Sequence, residues 1–422
     1  MNRGTRLRRY VFINRYYEPD ESATSQMLTD LARGLAARGF CVHVVCSQQL
    51  YTDAGAKLPP NESRSGVVVH RVATTRFGRD RLLGRVIDYA SFYISASWTL
   101  FGLLRRGDVL IAKTDPPLIS IPAAFISRLK GIALINWQQD VFPEIASQLG
   151  ANPLPRWLDL YLRRIRDASL HGAIMNVVVG AKMLEYFKRR GIADSQLCVI
   201  ENWADAATVT PKTISQSALR ARIGLTDEFV VCYSGNLGRA HEFDTLLGAA
   251  EALSADLSIV FLMIGGGAKM EALKRAATQR NLVNFRFLPY QSRETLSDSL
   301  AAANLHLVSL LPHLEGLVMP SKVYGILAAG RPLIFIGDAD GEIARHIRAA
   351  ECGVVVSVNA SKDLVVAIVR LQSEREICAS MGGRARSSFL TRHTLEHAVE
   401  RWVAVLPPSI NATDWEIEPK PE

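Results

Sequence analysis

The chain changes hydrophobic period again and again, and that alternation limits it to one fold class. YVFIN at 10–14 is an apolar run of strand length, and SQMLTDLARGLAARG follows with Met27, Leu28, Leu31, Leu35 and Ala36 on one helical face. After Gly39, CVHVVCS is a second strand, completing a strand–helix–strand unit. VVVHRV, DVLIAK, ALINWQ, NVVVG and LCVIEN continue the pattern with helical stretches between them. A hydrophilic stretch around TVTPKTISQSALRARIGLTDE interrupts it, and it restarts with FVVCYSGNLG, LSIVFLMIGGG, FRFLPY, LHLVSL, PLIFIGD and GVVVSV. Strands that are apolar throughout need cover on both faces, so each series predicts a parallel sheet between helical layers. A chain of 422 residues exceeds one ordinary core, which makes two consecutive doubly wound α/β units the reading. Ligands of such sheets bind beyond the carboxyl ends of the strands.

Charge separates the two series. Residues 1–205 hold 27 Lys and Arg against 18 Asp and Glu, whereas the remaining 22 and 23 nearly cancel, so the net charge of +8 belongs to the first half. Such a surface suits an anionic lipid, a phosphorylated ligand or nucleic acid, and no nucleic-acid module accompanies it. Val86–Leu104 is long and aromatic, with Arg85, Arg105 and Arg106 at its ends. Asp88 and several serines argue against a span, so a helix packed within the first unit is expected, with membrane-surface contact left open. Six scattered cysteines without a CxxC pair fit a reducing compartment and free thiols. The basic N-terminus lacks the apolar stretch of a secretory signal.

Several chemistries lack their signatures. GGGAKME has Met270 where a dinucleotide loop needs its third glycine, and no Walker loop, HExxH or GxSxG is present. Asp338 and Asp340 read as a solvated turn rather than a metal pair. NWQQDVFPEIA places Asp140 and Glu144 just after a strand, where a cleft should be. They are read as binding a substrate hydroxyl or assisting as a base, over a plain acidic helix start. The segment HLEGLVMPSKVYGILAAGRP predicts a short helix opened by Pro320 and Ser321 and closed by Gly330 and Pro332. Within it Gly325 costs about 1 kcal/mol relative to Ala, and Lys322 occupies the end that disfavours a cation. An anion beside Lys322 would remove the second conflict.

YYEPDESATSQMLTDLARGLAARG, DPPL, WQQDVFPE, VIENWAD, YSGNLG, IGGG and PSKVYGILAAGRP, in this order, resemble the family 4 glycosyltransferases. The resemblance implies the GT-B fold, two Rossmann-like doubly wound domains facing across a cleft, and transfer with retention of configuration. It divides the chain into an acceptor-binding domain over 1–205 and a nucleotide-sugar-binding domain over 206–390. A helix over 391–406 that packs back on the first domain follows, then a tail over 407–422. The nearest subgroup resembles bacterial capsule, colanic acid and O-antigen transferases, including N-acetyl-L-fucosamine transferase-like proteins, so a HexNAc or deoxy-HexNAc donor is expected.

The resemblance also assigns residues. Gly235 and Asn236, with Gly265 and Gly266, would lie against the donor diphosphate. Arg239 would grip phosphate, with His241 where relatives place a Lys. Glu315 would approach the donor hexose, and Ser321 and Lys322 would hold the diphosphate. Gly325 stands where relatives carry a ribose-binding Glu, ten residues after Glu315 rather than eight, which leaves Tyr324 as the ribose candidate. Asp140, Glu144 and Glu21 would receive the acceptor. The expected partners are a UDP-linked sugar donor, a polyprenyl-diphosphate-linked or oligosaccharide acceptor and an anionic membrane surface. Neither a cofactor nor a metal is expected, and the location implied is the cytoplasmic face of the membrane. A UDP-sugar 2-epimerase-like enzyme, or a nucleotide-sugar-binding protein with weakened catalysis, is the alternative.

Overall fold

A computed structural model describes residues 7–408, apart from 52, 54, 79–81 and 153. The expected tail falls outside the described residues from position 409 onward. The first unit is an eight-stranded sheet ordered β3-β4-β2-β1-β5-β6-β7-β8. Its strands are β1 (Arg9–Ile13), β2 (Cys41–Ser47), β3 (Asn61–Arg64), β4 (Val67–Val72), β5 (Val109–Lys113), β6 (Ala133–Gln138), β7 (Met175–Val178) and β8 (Leu197–Val199). All pairings are parallel except β3 against β4. β3 is the edge strand NESR, hydrophilic and largely exposed, so no apolar pattern announces it.

Helix α1 (Ala23–Ala37) covers one face of this sheet with Leu28, Leu31 and Leu35, all fully buried. The other face is covered by α2 (Leu82–Leu103) and α3 (Ser120–Lys130), with α5 (Arg156–His171) beside α3. Two short helices, α4 (Glu144–Gln148) and α6 (Ala181–Arg189), face the second unit.

That second unit is a wholly parallel six-stranded sheet ordered β11-β10-β9-β12-β13-β14. It comprises β9 (Phe229–Asn236), β10 (Ile259–Gly266), β11 (Phe285–Leu288), β12 (Leu305–Ser309), β13 (Leu333–Ile336) and β14 (Gly353–Val356). The strand order reverses between β1 and β5 in one sheet and between β9 and β12 in the other, and ligand crevices open at such reversals.

The chain crosses between the units twice at one place. Ala204 donates its N–H to the His393 carbonyl, and Leu395 returns an N–H to Ala204, both at 3.1 Å. The last helix, Leu395–Val405, then buries Val399 and Trp402 in the first unit, with Trp402 edge-on to Trp137 at 5.0 Å. Arg8 and Tyr10 hydrogen-bond the carbonyls of Pro408 and Pro407, so both ends of the described chain meet there.

Candidate active site

The units touch along a cleft. Asp140 pairs with Val318 as an isolated antiparallel bridge, and the Val141 N–H donates to Leu317 at 2.9 Å. Arg293 reaches Asp30 at 2.8 Å, and Glu342 accepts the Lys182 N–H at 3.0 Å. Between them lies a cavity of about 330 Å³, lined from the first unit by Thr24, Tyr89, Asp115 and Asp140, and from the second by Met319 and Ser321.

On the second unit's side, β9 and β10 end side by side in glycine. Gly235 and Gly265 have φ of +120° and +124°, and a Cβ on Gly265 would lie 2.3 Å from the Gly235 carbonyl oxygen. Only glycine permits that approach. The Lys322 ammonium sits against the Gly235–Asn236 turn. It lies 3.7 Å from the centre of the Tyr233 ring, donates to the Tyr233 hydroxyl, and donates to the Asn236 carbonyl at 3.3 Å. Burial brings its pKa down to about 7, opposed by Cys232, and no carboxylate contributes.

More positive charge gathers there. Lys269, from the glycine loop after β10, donates to the His241 carbonyl at 2.6 Å. His241 shares a hydrogen bond with Ser309 at the end of β12, and burial, Lys322 and Lys269 hold its imidazole down at about 3, against the Ser309 carbonyl. Arg239 is exposed on the same loop. Lys269 was absent from the expected set, although its place directly after GGGA, at the end of a strand, was a signal for it.

On the first unit's side the chemistry is a buried lysine among carboxylates. Lys113, at the end of β5, is fully buried, donates to the Thr24 carbonyl at 2.7 Å and lies 4.2 Å from the Trp137 ring centre. Burial lowers its pKa to about 7 against the pull of Asp115, Asp140 and Asp30. Asp140 is half-buried in the cavity wall, and burial and Asp115 raise its carboxyl to about 6 against Lys113. A charge ending an otherwise apolar strand was the signal for Lys113.

Four expectations change. Glu144 does not face the cleft: it is buried and bound to Arg166 at 2.6 Å, with the Tyr186 hydroxyl as a further partner. That arrangement is a structural ion pair, without room for an acceptor. Tyr324 is buried edge-on to His393 at 5.1 Å, with Glu201 and the Asn202 backbone near its hydroxyl. Two residues after Lys322 on the helix Lys322–Ala328, it points to nearly the opposite side. Ser321 lines the cavity but makes no side-chain cap. Glu21 is exposed ahead of α1 and outside the cavity wall.

Glu315 keeps one carboxylate oxygen on the Glu342 N–H at 3.2 Å, while its Oε1 is buried without a hydrogen-bond partner. Burial raises its pKa. Gly325 lies within the Lys322–Ala328 helix, and a Cβ there would meet only Leu300, at 3.8 Å.

Residues 22–203 match the family description "Glycosyl transferase 4-like domain", and residues 215–388 match "Glycosyl transferases group 1". The chain belongs to the family 4 glycosyltransferases. It is 27% identical over 342 residues to WbjE of Pseudomonas aeruginosa, named as a glycosyltransferase, covering 80% of this chain and 83% of that one. WcaI of Escherichia coli K12, named for colanic acid biosynthesis, is 24% identical over 341 residues, or 78% and 83% of the two chains. Among solved structures, Anabaena HepE in complex with UDP-glucose superposes with a TM-score of 0.70 at 14% identity, covering 95% of this chain and 100% of that one. The glycosyltransferase thus has the GT-B fold, with the glycine turns and Lys322 on one wall of the cleft and Asp140 on the other.

Proposed function

We propose that this glycosyltransferase moves a sugar from a UDP-linked donor to a polyprenyl-diphosphate-linked or oligosaccharide acceptor in bacterial surface polysaccharide synthesis. The observation that carries the reading is Lys322, a half-buried cation without a carboxylate partner, held against the Gly235–Asn236 turn. A donor diphosphate supplies the missing counter-charge. Negative charge grows on the leaving nucleoside diphosphate as the glycosidic bond breaks, so a fixed cation there stabilises the transition state more than the ground state. Lys269 and Arg239 extend the cationic wall, and this set handles the phosphates without a metal. The orphaned Oε1 of Glu315 accepts a donor sugar hydroxyl. Asp140 takes the acceptor hydroxyl across the cleft, and retention follows without a covalent nucleophile.

The relatives support this reading by what they are named for: HepE is described with UDP-glucose, and WcaI with colanic acid. The sugar is a HexNAc or a deoxy-HexNAc. Thermal-shift screening of UDP-, GDP- and dTDP-sugars tests the donor, because a ligand that binds the native state raises its stability. A UDP-HexNAc should give the largest shift and then label a polyprenyl-diphosphate sugar with retained configuration. No shift from any nucleotide sugar, or full-rate release of UDP or an epimer without acceptor, overturns the proposal.

A further inference from the structure

Helix α2 is divided lengthwise. Phe92, Ala96 and Leu100 are buried against the sheet. Leu83, Ile94, Trp98 and Phe101, at spacings that keep them on one helical stripe, face outward, with Ile94 71% and Trp98 83% exposed. The neighbouring α3 adds exposed Phe125 and Leu129, and α5 adds Trp157 and Tyr161. Three adjacent helices therefore share one apolar outer surface, larger than the scattered hydrophobic residues of an ordinary exterior.

Its charges have one sign. Arg85, Arg105, Arg106, Arg128, Arg156 and Arg164 are exposed on or beside these helices. The acidic residues of the same helices, Asp88, Asp159 and Asp167, are all buried. Lys130 lies over the Phe101 ring at 3.9 Å, its charge set at the border of the apolar stripe. No helix among the described residues is long and apolar enough to cross a membrane. An apolar stripe edged by cations is the pattern of a helix lying in the lipid interface.

We propose that the α2–α3–α5 face docks on an anionic bilayer, with the apolar stripe at the headgroup–acyl boundary and the arginines among lipid phosphates. α2, of 22 residues, would lie flat over about 33 Å of membrane. A second copy of the chain fits less well, because it would bring like charges together. Tyr89 lines the cleft cavity from the inner side of α2, so docking sets the cavity close to the lipid plane. This deepens the lipid-linked acceptor reading, yet its test needs neither donor nor acceptor, so each can fail alone.

The test is flotation of the full chain with vesicles of phosphatidylcholine, alone or mixed equally with phosphatidylglycerol. Binding should favour the anionic vesicles and weaken with salt. Replacing both exposed residues, Ile94→Glu and Trp98→Glu, should lower partitioning about tenfold or more, with melting temperature unchanged. Arg105→Gln with Arg106→Gln should lower binding to the anionic vesicles alone, by about tenfold, and serves if the first variant folds poorly. Absent binding, equal binding to both vesicles, or undiminished binding by the variants overturns the proposal. So does a soluble dimer that the Ile94→Glu, Trp98→Glu protein cannot form, since that assigns the face to a second copy.

Discussion

The state of Lys322 makes a quantitative prediction about UDP binding. In the free protein, burial holds this amine at about 7, well below an ordinary lysine. A diphosphate beside it returns the ammonium to the usual range near 10.4, so the bound pKa is the higher one. The sign follows: the favourable contribution is fully present below about pH 7 and is lost as pH rises toward the bound value. At pH 8 about nine-tenths of the free molecules carry a neutral amine, so about 0.9 proton enters with each UDP. Between pH 7 and 9 the Kd should rise about 50-fold, or about 2.3 kcal/mol. The phosphate contributes little to this slope, because its last ionisation lies near pH 6. Titration calorimetry in buffers of different ionisation enthalpy measures proton uptake and affinity together. Lys322→Met should bind UDP more weakly at pH 7 than the unaltered protein does even at pH 9, with no slope, because at pH 9 the bound lysine is still mostly protonated. A flat Kd from pH 7 to 9 with no buffer dependence refutes the assignment of Lys322 to the diphosphate.

Gly325→Ala should stabilise the protein by about 1 kcal/mol in urea unfolding, because the helix gains propensity and the new methyl meets only Leu300 at an ordinary distance; a loss of stability would show that packing demands the glycine. Asp140 and Glu144 should separate cleanly. Asp140→Asn should lower transfer strongly without changing UDP affinity, and the unaltered enzyme's rate should fall as pH drops through about 6, where the Asp140 carboxylate takes up a proton. Glu144→Ala should instead cost about 3 kcal/mol of stability, leaving the buried Arg166 with Asp167 as its remaining carboxylate partner. Equal stability losses in the two variants would contradict this division.

The sheets were legible because their strands are apolar from end to end, and a run such as FVVCYSGNLG carries both a strand and the glycine turn that closes it. β3 was not legible: an exposed edge has no buried face to impose a pattern. The site was legible where a residue conflicted with its own element, as Lys322 did with its helix. It was not legible where the deciding partner is remote in sequence. Nothing near Glu144 says that Arg166 will fold back from α5 to meet it. Tyr324 was a different failure, since two steps along a helix already turn a side chain away from Lys322. Gly325, three steps along, returns toward the Lys322 side, the direction a ribose-binding Glu would need.

The double crossing at Ala204 and His393 gives the molecule a host-and-guest architecture. The host sheet, the last helix and both ends of the described chain form one body, into which the second unit is spliced between residues 205 and 393. Deleting the final helix would therefore open the first unit, taking Trp402 from its place against Trp137, although the deletion lies beyond the second unit in sequence. With Arg8 and Pro408 already in contact, the ends could be joined and the chain reopened elsewhere, giving a circular permutant with the same two halves in a different order.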